Sequence, residues 1–263
     1  MRDLVVVRGA GDIASGTIAK LHAAGFPVIA LECERPSAIR RKVAFSEAVY
    51  SGEVTVEGIT ACLAEKSEIA EALGAGRIPV VVDPECTILR DWKPKILVDA
   101  ILAKRNMGTT RNMAAITIGL GPGFTAGEDV DAVIETMRGH NLGRIYYSGH
   151  AIPNTGKPGK IGDYDTERVI YAPVEGKVRH PRRIGEQINK GEQVAQIGGI
   201  PVCAEISGVL RGILPEGFPV TKGYKMADID PRLEEKENCN TISDKARCIA
   251  GGVLEAVLCL ENR

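Results

Sequence analysis

Short apolar runs separated by polar, glycine-containing turns fill the first 165 residues. Runs of strand length lie at residues 4–7, 28–31, 78–82 and 95–99, and continuous apolar runs of this length are typical of buried strands. Apolar positions repeat with helical spacing over 67–73 and 129–137, which predicts two helices. This alternation predicts an α/β fold in which residues 1–165 form a Rossmann-like, mostly parallel sheet domain that binds a nucleotide or cofactor.

Short β-rich runs broken by glycines replace this pattern after Arg168. They form an internal repeat of about 35 residues that resembles the barrel-sandwich hybrid of biotinyl and lipoyl carrier domains. Those carriers present a lysine between their halves, where this chain has Gly198-Gly199, so no carried cofactor is expected. The sequence thus predicts a barrel-sandwich-hybrid-like β module over 166–235. Over 236–263 it predicts a C-terminal helix that packs back on the first domain.

The composition narrows the class of protein. The net charge of the 263 residues is −1, which gives no electrostatic reason to expect nucleic acid or a membrane as a partner. No apolar run is long enough to span a bilayer, and the first residues do not resemble a signal peptide. The seven cysteines include no Cys-x-x-Cys pair, which favours reduced thiols over disulfides or a zinc site. We expect a cytoplasmic protein without a metal site.

A glycine turn follows the first strand, where Gly9-Ala10-Gly11-Asp12 leads into a helix. In dinucleotide-binding domains the first glycine permits the tight turn, and the second admits the pyrophosphate. The helix N-terminus then supplies N–H groups to the anion. Glu32 ends the second strand, where such domains carry an acid that binds a ribose. Either this turn binds a nucleotide, or it is a plain connection between strand and helix.

Further candidate residues follow other predicted strands. Arg8 is either a phosphate ligand or half of a structural ion pair, and the loop at 119–123 either lines the same cleft or is a turn shaped by Pro122. Cys33 and Cys86 follow strand ends, and each is either a thiolate that carries sulfur or selenium or an inert buried thiol. The candidate cofactor-binding residues are Arg8, Gly9, Ala10, Gly11, Asp12, Glu32, Lys104, Gly119, Gly121 and Gly123. The candidate catalytic residues are Cys33, Cys86 and Asp99.

Several motifs together resemble one family. The motifs are VRGAGD at 7–12, IGLGPGF at 118–124, ETMRGH at 135–140, DIDPR at 228–232, ISDKA at 242–246 and GGVLEA at 251–256. They are similar to those of the YqeB-type accessory proteins of the selenium-dependent molybdenum hydroxylase system. These proteins are loosely akin to the maturation factors of xanthine dehydrogenase.

The resemblance implies a maturation factor whose client is a molybdenum hydroxylase. The residues and the resemblance together indicate a small phosphorylated cofactor: the resemblance favours the molybdenum pterin cofactor, and the glycine turn with Glu32 also suits an NAD(P)-like dinucleotide. Two alternatives stay open at this point. One is an NAD(P)-dependent oxidoreductase, although the sequence offers no obvious proton-transfer pair. The other is a non-enzymatic scaffold whose glycine loops are structural, and a homo-oligomer is possible in each case.

Overall fold

The computed structural model describes residues 2–156 and 163–262, which fold as two compact units. The first unit contains Met1–Pro36, Ala44–Thr155 and Ile242–Arg263, and the second contains Ser37–Val43 and Gly156–Thr241. The chain therefore passes between the units four times. The domain bounds predicted at 165 and 235 remain predictions.

A nine-stranded sheet forms the centre of the first unit. Its strands are β1 (Val5–Arg8), β2 (Val28–Glu32), β3 (Glu53–Val56), β4 (Ile59–Leu63), β5 (Ile78–Val82), β6 (Ile96–Asp99), β7 (Ile116–Leu120), β8 (Ala132–Ile134) and β9 (Ile145–Tyr146). They lie in the order β3-β4-β5-β2-β1-β6-β7-β8-β9. The strands from β4 to β8 in this order pair in parallel, whereas hairpins β3–β4 and β8–β9 make both edges antiparallel.

Five α-helices accompany this sheet in the part of the chain that the structure describes. They are α1 (Asp12–Ala23), α2 (Ala48–Ser51), α3 (Ile69–Gly74), α4 (Leu89–Trp92) and α5 (Asp244–Glu261). Short 3-10 turns cover Phe45–Glu47 and Arg111–Met113. Helices α1 and α5 pack against each other, and a Cβ at Gly16 would lie only 2.8 Å from the Ala246 Cβ. Glycine at position 16 therefore allows the two helices to approach closely.

The fold class predicted from the sequence is wrong. A mixed nine-stranded sheet, two small antiparallel sheets and a C-terminal helix replace the mostly parallel Rossmann-like domain with an appended hybrid barrel. The predicted helix at 129–137 is instead an extended segment that contains β8. Val130, Val133 and Ile134 have helical spacing, but β-branched residues also favour a strand. The Asp131 carboxylate accepts the Thr117 N–H at 2.9 Å and so holds the extended segment against β7.

Two four-stranded antiparallel sheets make up the second unit. Its strands are β10 (Val169–Tyr171), β11 (Gly176–Arg179), β12 (Gln187–Ile188), β13 (Gln193–Ile197), β14 (Ile200–Cys203), β15 (Gly208–Ile213), β16 (Pro219–Val220) and β17 (Lys225–Asp230). The sheets have the orders β10-β17-β15-β12 and β14-β13-β11-β16. Apolar side chains from both sheets form one buried cluster, which the Leu233–Asn240 3-10 helix completes with Cys239.

A distant segment of sequence completes the second unit. We call residues 37–43 the crossing segment; it ends in a 3-10 turn, Arg41–Val43. The Ile39 carbonyl accepts the Ile213 N–H at 2.8 Å, and Arg41 Nε donates to the Ile213 carbonyl at 2.9 Å. A Cβ at Gly212 would lie 2.7 Å from the Ile39 oxygen. The end of β15 is thus shaped to fit a segment that follows β2 in the sequence.

Candidate functional site

The carboxyl edge of the large sheet collects most of the predicted site residues. Parallel pairing places the ends of β1, β2, β5, β6 and β7 at this edge. The chain runs from β1 outward to one side and later returns to β6 on the other side. Open α/β sheets bind ligands outside the strand ends at such a reversal. The candidate site therefore lies at the β1–β6 junction.

The glycine turn at this junction is packed tightly on one side. Gly9 has φ +91°, and a Cβ there would lie 3.0 Å from the Ala100 oxygen. The Gly9 N–H donates to the Leu31 carbonyl at 2.7 Å, and the Ala100 N–H donates to the Arg8 carbonyl at 2.8 Å. Glycine at position 9 is therefore required by its backbone conformation and by the close approach of Ala100 and Ile101, which follow β6.

Gly11 differs from Gly9 in its backbone φ and in the space around its Cβ position. Its φ is −66°, and no atom lies within 4 Å of the position that a Cβ would occupy. It is the N-cap of α1, and as a glycine it has no side chain to cap the first N–H groups of the helix. The fold itself thus gives no reason for a glycine at position 11. The predicted residue Asp12 begins the helix immediately after it.

Glu32 holds the glycine turn to the end of β2. Its Oε2 accepts the Ala10 N–H at 2.9 Å, and its Oε1 accepts the Cys33 N–H at 2.9 Å. The Ala10 carbonyl in turn accepts the Ser46 N–H at 2.8 Å. The carboxylate predicted to bind a ribose therefore already binds backbone N–H groups. Each oxygen keeps a second lone pair for another donor.

Arg8 forms a buried ion pair with Asp99. Its Nη1 lies 3.3 Å from Asp99 Oδ2 and also donates to the Thr109 hydroxyl oxygen. Nη2 donates to the carbonyls of Pro84 at 3.2 Å and Met107 at 3.4 Å. The Thr109 hydroxyl donates to Asp99 Oδ2 at 2.6 Å. Of the two interpretations left open by the sequence, the structure contains the ion pair, which joins the loops after β5 and β6.

The loop after β6 carries unusual backbone conformations. Leu102 and Lys104 have φ +59° and +63°, a left-handed region that is uncommon for residues other than glycine. Asn106 Oδ1 accepts the N–H groups of Gly108 at 2.9 Å and Thr109 at 2.8 Å, which closes the loop. This segment, residues 100–108, is named the β6 loop. Lys104, predicted to bind a phosphate, is exposed on it.

The three glycines of the second loop each face a close neighbour. A Cβ at Gly119 would lie 2.6 Å from the Phe124 ring, and one at Gly121 would lie 2.5 Å from Thr136 Oγ1. A Cβ at Gly123 would lie 2.5 Å from the Arg105 Cα. These glycines permit packing between loops, and Gly123 seats the β6 loop. On the β7 side, the carboxyl edge of the sheet is therefore bounded by this closely packed loop.

The two candidate cysteines have thiols that resist ionisation. Burial raises the pKa of Cys33, and the neighbouring Glu32 carboxylate raises it further. Burial raises the pKa of Cys86 to about 11, although Arg8 acts in the opposite direction. Burial, followed by Glu47, likewise raises the pKa of Tyr50 to about 12. At neutral pH both candidate cysteines are therefore neutral thiols.

Cys86 is expected to make the fold less stable in strong base. Above pH 9 the unfolded thiol loses its proton while the folded thiol keeps it up to about pH 11. Stability therefore falls with rising pH in this window, by about 1.4 kcal/mol per pH unit from this group. Urea unfolding measures the free energy of unfolding of wild type and of Cys86→Ala at pH 8 and pH 11. The difference between wild type and Cys86→Ala should fall by about 2 kcal/mol from the lower to the higher pH.

Cys203→Ala, at an exposed cysteine, is the control. The difference in free energy of unfolding between wild type and this variant should be the same at both pH values.

Several residues of this edge escaped the sequence analysis. Thr109, Pro84 and Met107 contact Arg8, yet none stands in a recognisable motif. Tyr50 lies close enough to Cys33 and Glu32 for their charges to raise its pKa. A threonine ten residues after an acidic strand end offers no signal without the fold. The sequence indicates the Gly-Thr-Thr turn at 108–110 as part of a possible phosphate pocket or as an ordinary loop, but not as a partner of Arg8.

The second unit has its own buried charged pair. Arg168 Nη1 donates to Asp228 Oδ1, and burial raises the pKa of Asp228 despite this partner. Arg211 and Arg232 both bind Asp230 Oδ2 at 2.9 Å. The DIDPR motif at 228–232 thus supplies ion pairs within the second unit.

Comparison with known proteins gives one close relative. The chain is 53% identical over 261 residues to the uncharacterized protein YqeB of Escherichia coli (strain K12). This chain is similar to YqeB throughout. The match covers 99% of the chain but 48% of YqeB, so the chain spans about half the length of that relative. The resemblance to YqeB is confirmed, and no family model matches the chain.

Comparison with solved structures gives only weak likenesses. A succinylglutamate desuccinylase/aspartoacylase from Rhodobacter sphaeroides is 14% identical with a TM-score of 0.28, covering 86% of this chain and 84% of that one. An aspartoacylase family protein from Mesorhizobium loti is 11% identical with a TM-score of 0.26 at the same coverages. The product-bound ectoine utilization protein EutE (DoeB) from Ruegeria pomeroyi is 11% identical, with a TM-score of 0.24, covering 86% of this chain and 56% of that one. Likenesses this low carry no argument about this chain.

Two features are absent from residues 2–156 and 163–262. Within them, no helix combines the length and apolar character needed to cross a bilayer. In the same residues, no three His, Cys, Asp or Glu side chains come together in a way that could hold a metal ion.

Proposed function

We propose that this protein is an accessory factor for the maturation of a selenium-dependent molybdenum hydroxylase. In this role it binds a phosphorylated pterin or nucleotide cofactor at the carboxyl edge of the large sheet. The motifs at 7–12 and 118–124 support the proposal, because the resemblance to YqeB-type proteins rests on them. YqeB itself is uncharacterized, so the support for a ligand comes from the geometry of this chain.

Gly11 is the observation that carries the proposal. Serine or asparagine at an N-cap stabilises a helix better than glycine does, and the space beside Gly11 would admit either. Helix N-termini bind phosphate groups through their free N–H groups and positive dipole. A glycine that the fold does not require, at the start of α1, leaves room for a phosphate to reach those groups.

Glu32 and the β6 loop add groups suited to such a ligand. Each Glu32 oxygen has a second lone pair that can accept a hydrogen bond from a ribose hydroxyl while the bond to the Ala10 N–H is kept. Lys104 and Arg105 are both exposed on the β6 loop and supply positive charge for phosphate groups. Arg8 is paired with Asp99, so in this proposal it positions the β6 loop and does not bind the phosphate.

Native mass spectrometry of freshly purified protein tests the proposal directly. We expect an added mass that dissociates on denaturation and corresponds to a phosphorylated pterin or a nucleotide. A nicotinamide dinucleotide would instead favour the oxidoreductase alternative. If the protein carries no such mass and binds neither pyrophosphate nor nucleotides in calorimetry, the proposal is wrong.

Replacing Gly11 should separate binding from stability. We expect Gly11→Ser to keep or slightly raise the free energy of unfolding, because serine is a better N-cap. Pyrophosphate affinity, measured by calorimetry, should fall at least about tenfold, because the new side chain fills the phosphate position. Gly251→Ser is the control: it also has an open Cβ position, but it lies in α5 and should leave affinity unchanged. Equal affinity of Gly11→Ser and wild type would contradict the proposal.

A further inference from the structure

The β6 loop exposes two large apolar side chains beside the glycine turn. Ile101 is 40% exposed and Met107 is 45% exposed. The Ile101 Cα lies 3.1 Å from the position of a Gly9 Cβ, and the Met107 carbonyl lies 3.4 Å from Arg8 Nη2. Both residues therefore flank the turn in which the proposed phosphate site lies.

Buried polar bonds hold this loop in place. The Arg8–Asp99 pair and the Thr109 hydroxyl lie beneath it, and Asp99 is 1% exposed. Removing two charges from water is unfavourable, so a buried ion pair is weak evidence for stability alone. Leu102 and Lys104 add left-handed conformations that persist only where the surroundings enforce them. The loop thus exposes its apolar side chains on a backbone that these bonds hold in place. The buried charges and the left-handed conformations are both unfavourable, and contact with a ligand would explain why they are kept.

The chemistry of the loop combines apolar and cationic groups. The thioether of methionine contacts aromatic ring edges favourably, and a branched aliphatic side chain packs against a ring face. Lys104 and Arg105 on the same loop favour an anion. A heteroaromatic ring that carries a phosphate or pyrophosphate satisfies both groups of side chains at once. The start of α1, which begins with a glycine N-cap beside them, suits the phosphate of such a ligand.

We propose that Ile101 and Met107 seat the heteroaromatic ring of the ligand, on the β6 side of the glycine turn. The phosphates then lie at the start of α1, and the site selects ring-bearing phosphates over phosphate alone. This inference rests on the proposed function and deepens it. Tyr50 offers the opposite location, on the β2 side near Glu32, with its hydroxyl donating to the Pro36 carbonyl at 2.8 Å.

Calorimetry with two probes tests the location of the ring. Inorganic pyrophosphate reports on the phosphate position, and ADP adds a purine ring and a ribose. We expect wild type to bind ADP at least tenfold more tightly than pyrophosphate. The double variant Ile101→Ala/Met107→Ala should lose most of this preference while its pyrophosphate affinity stays within twofold. Leu63→Ala, which removes an equally exposed side chain from β4 (40%), and Tyr50→Ala should both keep the preference.

The outcomes distinguish the two proposals. Absence of pyrophosphate binding in wild type overturns the proposed phosphate site and this inference with it. Pyrophosphate binding without a preference for ADP overturns this inference alone, and so does a preference that survives the double variant. Loss of the preference in Tyr50→Ala instead places the ring on the β2 side and overturns the assignment. The thermal midpoint of each variant, which we expect within 3 °C of wild type, shows that the exposed substitutions leave the fold intact.

Discussion

Replacing Asp99 with alanine is expected to lower the free energy of unfolding of the first unit by about 3–5 kcal/mol. The substitution leaves the Arg8 guanidinium buried without a counter-charge, and removing one partner of a buried pair has an effect of this size. It also removes the acceptor of the Thr109 hydroxyl and of the Ile101 N–H. Urea unfolding followed by the fluorescence of Trp92, the single tryptophan of the chain, measures the loss.

A double variant supplies the control for this prediction. Arg8→Met/Asp99→Leu removes both charges and keeps comparable volume, so most of the stability should return. Such a result would show that the pair serves to position the β6 loop and contributes little net stability. A loss below about 1 kcal/mol in Asp99→Ala would show that water reaches Arg8 and that the pair is not buried in solution.

Replacing Gly208 with alanine should lower the stability of the second unit by about 3 kcal/mol. The new Cβ would overlap the Asp230 carbonyl oxygen, which belongs to the neighbouring strand β17. A backbone atom in a paired strand cannot move aside without disturbing the pairing, and overpacking of this kind has large effects. Amide hydrogen exchange in β15 and β17 measures the change.

Gly217→Ala is the matched substitution. Gly217 has φ +77° but no atom within 4 Å of its Cβ position, so only the left-handed conformation opposes alanine, by about 1 kcal/mol. Gly208 has no left-handed φ, so a loss at position 208 no larger than that at 217 would mean that β17 moves aside and that the contact with Asp230 does not have the expected effect.

The sequence predicted local elements better than the architecture. The strand at 78–82 is confirmed as β5, and the glycine turn between β1 and α1 is confirmed in place. These predictions depend on patterns within about 20 residues, where apolar period and glycine positions decide the structure. The helix predicted at 129–137 failed because its apolar spacing suits both structures, and pairing with β7 decided for the strand.

In the candidate site, too, nearby sequence predicts some positions, whereas contacts between residues distant in sequence could not be predicted. The positions of Gly9 and Glu32 at neighbouring strand ends follow from the sequence once the strands are parallel. The roles of Arg8 and Thr109 do not, because Thr109 lies 101 residues from Arg8 in the chain. No local pattern tells whether an arginine at a strand end meets a carboxylate or a ligand. Only the arrangement of β1 beside β6 determines this.

The crossing segment has a consequence for how the chain acquires its structure during synthesis. Residues 37–43 leave the ribosome long before their partner Ile213 is made. The first unit likewise waits for α5, which packs on α1. Domains that are contiguous in sequence can fold one after another as they emerge, whereas here the second unit needs Ile213 and the first unit needs α5, both of which lie far along the sequence from their partners. Pairing across such distances slows folding, so apolar strands such as β1 and β2 remain incompletely covered until α5 has been made. Dependence on a chaperone that holds the nascent chain would follow from this order of synthesis.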